Sequence, residues 1–335
     1  MTTPSSGLAA IASEDGTMTI YVSDRLCVLE AVTFKDIFLA TCDAIPSPKR
    51  IVLDFHRTEF MDSTGVGSLV ACYKKARSRA IPVQLNQVQP AVMVVLELTG
   101  LDSVLAITPA LPKPVDPEPH PKRREENHHP PATHPSVRSW LKRLMDIFGA
   151  LIGLAITGVL FIPIAIAIRW DSPGPILFCQ TRCGWLGRHF RLWKFRSMII
   201  NAEARRGEVK NEAEGAFFKN AADPRITRVG RFLRRTSLDE FPQFWNVLCG
   251  DMSLVGTRPP TADEVERYEI PQWQRLDVRP GMTGEWQVNG RSTVKRFEDV
   301  INLDLAYQKN WSLVYDLKLI LKTIFVLFNR NSGAM

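Results

Sequence analysis

Residues 147 to 168 run from Ile147 to Ile168 without a single charged side chain. As a helix, a run of this length matches the hydrocarbon thickness of a bilayer. Both of its flanks are basic. Lys122, Arg123, Arg124, Arg138, Lys142 and Arg143 precede it, and Arg169, Arg182, Arg188, Arg191, Lys194 and Arg196 follow it. Lysine and arginine beside an apolar helix stay on the cytoplasmic side. A straight span would carry one flank across, so the pattern predicts a re-entrant helix over about residues 141–169. Pro163 lies inside the run, where it removes a backbone donor and is expected to bend the helix. The implied location is the cytoplasmic face of the inner membrane, with membrane lipids as partners.

Upstream, residues 1–108 read as a small α/β domain. Thr17 to Val22 alternates with the period of a strand, Arg50 to Phe55 is a second strand, and Ile81 to Leu85 a third. Between the last two, Val66, Leu69, Val70 and Tyr73 fall at helical spacing, with Asp62 and Ser63 as natural caps at the helix start. Residues 109–138 read as a linker. Nine prolines from Pro109 to Pro135 leave no room for a helix or a central strand, and His120, His128, His129 and His134 fit a solvated spacer better than a metal site.

Downstream, residues 139–335 read as a compact, mainly helical α+β domain. The chain has 42 Lys+Arg against 35 Asp+Glu, a balance that suits an anionic partner. A nucleic-acid role would rest on net charge alone, and the apolar run argues against it. The six cysteines are scattered, which fits reduced thiols and gives no zinc pattern. No basic region followed by an apolar run marks a leader at the N-terminus. Asp316 to Phe328 patterns as an amphipathic helix with Leu317, Ile320, Leu321 and Ile324 on one side, which could lie in a membrane interface or pack on the domain core, with core packing expected.

The chemistry gathers at Arg234-Arg235-Thr236-Ser237-Leu238-Asp239-Glu240. Arg225, Arg228, Arg231 and Arg234 recur every three residues as a cationic stripe. Arginines suit phosphate oxygens through paired donors, and one of two adjacent carboxylates could attack phosphorus while the other binds Mg²⁺. The same residues also read as a capping box, Ser237 with Glu240, at a helix start. Arg258 follows Gly256 and precedes Pro259 and Pro260, a stiff turn; Arg291 follows Asn289-Gly290.

Two family resemblances cover nearly the whole chain. Leu53-Asp54-Phe55, Phe60-Met61-Asp62-Ser63-Thr64-Gly65-Val66-Gly67 and Leu96 to Asp102 resemble the STAS domain of anti-sigma-factor antagonists. The resemblance makes Ser63 a candidate phosphorylation site, beside its plainer reading as a helix cap, and implies a protein partner. From about residue 140 the chain resembles the bacterial sugar transferases, the monotopic phosphoglycosyl transferases. The matching stretches are Lys142 to Asp146, Gln180 to Gly184, Lys194 to Met198, Asp223 to Thr227, Ser237 to Leu248, Gly250 to Gly256, Val278 to Gly284 and Trp286 to Arg291.

That second resemblance implies transfer of a sugar-1-phosphate from a UDP-sugar to undecaprenyl phosphate, releasing UMP. It implies Asp239 as nucleophile, Glu240 as the Mg²⁺ ligand, and Arg234, Arg258, Pro259, Arg291 and Lys194 as substrate and phosphate contacts. It leaves room for a homo-oligomer. Two positions depart from the family pattern. Ile162-Pro163 stands where Ser-Pro is usual, and Thr257-Arg258-Pro259 where Pro-Arg-Pro is usual, which predicts a less rigid turn. A rival reading is a membrane-tethered STAS regulator whose transferase domain is idle.

Overall fold

The computed structural model describes residues 8–12, 15–110, 133–209, 211, 220, 222–289, 294 and 296–328. The chain divides into two compact units. One gathers residues 1–133 with two short segments, 186–188 and 269–277; the other holds the remainder.

In the first unit, strands β1 (Ala9–Ala12), β2 (Thr17–Tyr21), β3 (Arg25–Leu26), β4 (Arg50–Asp54), β5 (Phe60–Met61), β6 (Val83–Val88) and β7 (Ala106–Pro109) alternate with helices α1 (Val28–Cys42), α2 (Ser63–Ser78) and α3 (Pro90–Thr99). The main sheet runs β1-β2-β4-β6-β7; only the β1–β2 pair is antiparallel. Parallel strands need covering layers, and Phe34 and Phe38 of α1, Val66 and Leu69 of α2 and Ile51 and Leu53 of β4 are all buried, with α1 and α2 packed together. Asp62 caps α2, accepting from the N–H groups of Thr64 (2.9 Å) and Gly65 (3.1 Å). Ser63 is therefore the first helical residue and not the cap.

The linker expectation falls mostly on residues 111–132, outside the described residues. Its last part is corrected. Pro135 opens a short helix, α4 (Pro135–Arg138), at the position where no N–H is needed. His134 caps it, and its Nε2 lies 3.1 Å from the Gln308 carbonyl oxygen.

The second unit is built on α5 (Trp140–Asp171), one continuous helix with Pro163 inside it. Strands β8 (Leu177–Cys183) and β9 (His189–Phe195) form an antiparallel hairpin. Helices α6 (Arg228–Arg235) and α7 (Gln243–Cys249) follow, then β10 (Ser253–Val255), α8 (Ala262–Val265), β11 (Gly281–Thr283), α9 (Glu285–Asn289), α10 (Phe297–Lys309) and α11 (Leu313–Phe328).

The first turns of α5 are riveted to this unit. Lys142, expected as a basic flank, is buried and pairs with Asp316 at 2.5 Å while donating to the Val255 carbonyl at 3.0 Å. Arg143 donates to the Val247 and Leu248 carbonyls at 2.7 Å each, in the last turn of α7. Asp146 accepts from Ser253 Oγ and Leu254 N–H, both at 2.9 Å. Thus the Lys142–Asp146 stretch anchors the helix. Further along, Val159, Ile162 and Ile166 remain exposed.

The last helix packs on the core, but not by the side that its apolar pattern marks. Leu317, Leu321 and Ile324 of α11 are exposed, whereas Asp316 and Leu319 are buried and Ile320 is partly so. The Asp316 carboxylate, satisfied by Lys142, Tyr307 and Trp311, sets which side turns inward.

Candidate active site

The site grows from the contact of α6 with the end of β9. Thr227 caps α6 by accepting from the Gly230 N–H at 3.0 Å, and its own N–H donates to the Ser197 carbonyl at 3.2 Å. Gly230 lies so close to that carbonyl that a Cβ there would stand 1.9 Å from the oxygen. One turn on, Arg234 donates from Nε to Ser197 Oγ at 2.9 Å. A glycine thus lets the helix approach, and the approach fixes the guanidinium.

The cationic stripe splits in three dimensions. Arg228, Arg231 and Arg235 are exposed. Arg225 lies before the helix and is buried in a two-pronged pair with Asp223, whose carboxyl it holds below the usual carboxylate range through those hydrogen bonds. Arg234 is near enough to Asp239 and Glu240 to feel their charge. Burial lowers its affinity for the proton, and the charges of Asp239, Asp223 and Glu240 oppose that effect.

Asp239 is buried at 7 % exposure in a single 3₁₀ turn, Leu238–Glu240. The capping box expected there does not form. Ser237 adopts a left-handed conformation (φ 54°) and its side chain makes no cap. The Glu240 N–H instead donates to the Ser237 carbonyl at 3.2 Å, and α7 begins only after Pro242. The positive charge beside the two carboxylates therefore comes from side chains and not from a helix dipole. Lys194, on β9, holds Glu240 Oε1 at 2.7 Å.

Arg182, which the charge pattern marks only as part of the basic flank of the apolar run, lies on β8 inside the Gln180–Gly184 stretch. It donates to Gln180 Oε1 (2.7 Å from Nη2) and to the Pro259 carbonyl (2.9 Å). Burial first, and then the Arg258 charge, push it down to about 10, while Glu264, Glu203 and Glu240 act the other way. Arg258 is held by both oxygens of Glu264, at 2.7 and 3.1 Å, and stands 6.0 Å over the Trp286 ring. Glu264 itself closes a capping box with Thr261.

Backbone bonds hold the turn in which Thr257 stands in place of proline. The Gly281 N–H donates to the Thr257 carbonyl at 2.8 Å, and Thr257 pairs with Pro280 as a parallel bridge. The structure thus links Asp239, Glu240, Lys194, Arg234, Arg182, Arg258 and Pro259. Arg291 lies outside the described residues. Ser63 belongs to the first unit.

A Mg²⁺ ion would be held here by few protein donors. Among the described residues no group of three or more His, Cys, Asp and Glu side chains gathers at one point. One or two carboxylates with substrate phosphates and water is the ordinary Mg²⁺ arrangement, and Glu240, partly exposed beside Asp239, offers it.

Comparisons with known proteins agree with this organisation. The family model described as bacterial sugar transferase matches residues 137–330, and that of the STAS domain matches residues 9–113. The galactosyl transferase CpsE of Streptococcus agalactiae is 50 % identical over 188 residues, 56 % of this chain and 42 % of that one. The UDP-glucose:undecaprenyl-phosphate glucose-1-phosphate transferase of Escherichia coli is 41 % identical over 196 residues, 56 % of this chain and 40 % of that one. The undecaprenyl-phosphate galactose phosphotransferase of Salmonella typhimurium is 42 % identical over 201 residues, 58 % and 42 % of the two chains. The chain therefore spans about four-tenths of the length of these relatives. The anti-sigma factor antagonist SpoIIAA in its unphosphorylated form superposes with a TM-score of 0.26 at 17 % identity, over 31 % of this chain and 89 % of that one. With more than half of its length matched by one family model and the basic–acidic site built from that half, this chain belongs to the bacterial sugar transferase family.

Proposed function

We propose that the protein transfers a sugar-1-phosphate from a UDP-sugar to undecaprenyl phosphate, releasing UMP. The observation that carries this reading is the buried Asp239 in its tight turn, next to Glu240, with Lys194, Arg234 and Arg182 arrayed around the pair. The relatives' printed names point to the same substrate classes.

An Asp239 oxygen attacks the phosphorus that bears the sugar. The O–P bond forms as the bridging P–O bond breaks, and UMP leaves with the bridging oxygen and its electron pair. An oxygen of undecaprenyl phosphate then attacks the same phosphorus and displaces the Asp239 carboxylate. Arg182, Arg234 and Arg258 stabilise charge on the phosphate oxygens. Glu240 would hold Mg²⁺, which when bound neutralises charge on the diphosphate. The exposed apolar side of α5 would lie in the cytoplasmic leaflet of the inner membrane, where the lipid substrate resides.

The test is UMP release from a panel of UDP-sugars with undecaprenyl phosphate and Mg²⁺. Asp239→Asn should lower turnover by roughly three orders of magnitude or more, the scale of losing a nucleophile. Unchanged turnover in that variant would sink the covalent route. The same panel identifies the sugar.

A further inference from the structure

The last turns of α5 pack on α6. The helix ends at Asp171, and the chain turns through Ser172, Pro173 and Gly174 before β8. That exit turn is bonded to two neighbours. Asp171 Oδ2 accepts from the Val229 N–H at 2.8 Å, in the first turn of α6. Thr227 takes the next N–H of the same turn, that of Gly230, so two donors that the helix leaves open are met. On the other side, Arg196 donates from Nη2 to the Ser172 carbonyl and from Nη1 to the Pro173 carbonyl, both at 2.5 Å. Gly174, at φ +119°, makes room for it: a Cβ there would stand 2.3 Å from Nη1. Arg196 directly precedes Ser197, whose hydroxyl holds Arg234 Nε.

These contacts close a ring. The exit turn bonds α6 through Asp171, α6 bonds the end of β9 through Arg234 and Ser197, and the end of β9 bonds the exit turn through Arg196. Charge matches each helix end. An acid meets the positive N-terminus of α6, and a buried guanidinium meets the negative C-terminus of α5. Beside the ring, Ile164, Ile168, Phe195 and Leu233 form one buried cluster, on which Val229 and Leu238 pack. Leu233 is the neighbour of Arg234, and Leu238 of Asp239.

We propose that Asp171 and Arg196 are positioning residues: from the end of the apolar helix they brace α6 so that Arg234 stays aimed at the phosphate beside Asp239. This rests on the transferase reading above. Both act through Arg234. Asp171 fixes the start of its helix, and Arg196 fixes the strand end that carries Ser197. Loss of either lets α6 shift, and a guanidinium displaced by about 1 Å forfeits much of its stabilisation of the transition state.

The full-length chain in lipid nanodiscs decides this by hydrogen exchange and by steady-state kinetics of UMP release. Asp171→Ala should raise exchange of amides 229–235 about tenfold, the scale of a lost helix cap. It should lower kcat by roughly ten- to a hundredfold, with a smaller change in KM for the UDP-sugar. Asp171→Asn keeps an acceptor for the Val229 N–H and should restore most of both. The double variant Asp171→Ala/Arg234→Ala separates positioning from a merely structural role. Its turnover should match that of Arg234→Ala alone, because no guanidinium remains to be aimed. Arg196→Met is the second variant. It should reproduce the faster exchange and the kcat loss while α10 keeps its protection, which separates release of α6 from unfolding. Wild-type exchange at 229–235 in both Asp171→Ala and Arg196→Met would overturn the brace. Losses that multiply in the double variant would overturn action through Arg234. If the wild type releases no UMP, the transferase reading fails, and exchange at 229–235 alone then decides the brace.

Discussion

Glu264 has a side chain only 3 % exposed, and both of its oxygens are bonded to Arg258. A guanidinium held by two parallel bonds loses little further entropy when a phosphate arrives. Glu264→Gln keeps the shape but removes the charge and one acceptor. We expect KM for the UDP-sugar to rise about tenfold, equivalent to about 1.4 kcal/mol of binding. Stability should fall by about 1–3 kcal/mol, short of the full cost of breaking a buried pair because Arg258 is partly exposed. Kinetics and thermal unfolding of the variant check both. Nothing in the local sequence singles out this pairing from the ordinary acidic first turn of a helix. Arg182 reads in sequence only as one basic flank residue among many, for a similar reason: its place at the site rests on its contact with the Pro259 carbonyl and on the nearby Arg258 charge.

Among the elements, α6 shows how a short helix is aimed. Its cap, its glycine and its arginine all meet Ser197 or its neighbours. Gly230→Ala would drive a methyl into the Ser197 carbonyl, and no flexible side chain can yield. We expect a loss of about 1–3 kcal/mol and a fall in melting temperature of about 2–4 °C per kcal/mol, with reduced UMP release because Arg234 moves with the helix. Gly158→Ala is the control. Open space surrounds that glycine within α5, so melting should stay level or rise slightly. The adjacent acid turn shows the limit of pattern reading. Ser-x-x-Glu predicts a capping box, but a left-handed Ser237 and the separate start of α7 after Pro242 give a 3₁₀ turn instead.

Over the molecule, the helix that carries the apolar run is also an anchor. Its first two turns are tied by Lys142, Arg143 and Asp146 into the second unit, and exposed apolar side chains continue beyond them and on α11. Monotopic binding predicts that charge on the outward side of α5 weakens membrane attachment without breaking the unit. Val159 is 78 % exposed. Val159→Asp should shift a measurable share of the protein from the membrane to the soluble fraction on mild salt extraction, since a mid-helix carboxylate costs about 2.5–3.5 kcal/mol in an apolar phase. Full retention would count against α5 lying in the leaflet.

The sequence by itself determined the α/β character of the first hundred residues, the long apolar helix, and the order of the basic and acidic motifs, because periodicity, charge and chain order are local properties. Tertiary structure decided which arginines matter, since burial split the stripe and brought Arg182 from a distant strand to Arg258. It also decided the inward side of α11, set by a buried Asp316 that must meet Lys142, and the place of Ser63, set by a segment more than two hundred residues away. Such outcomes depend on which partner reaches a buried polar group, and no window of sequence contains both halves of that pair.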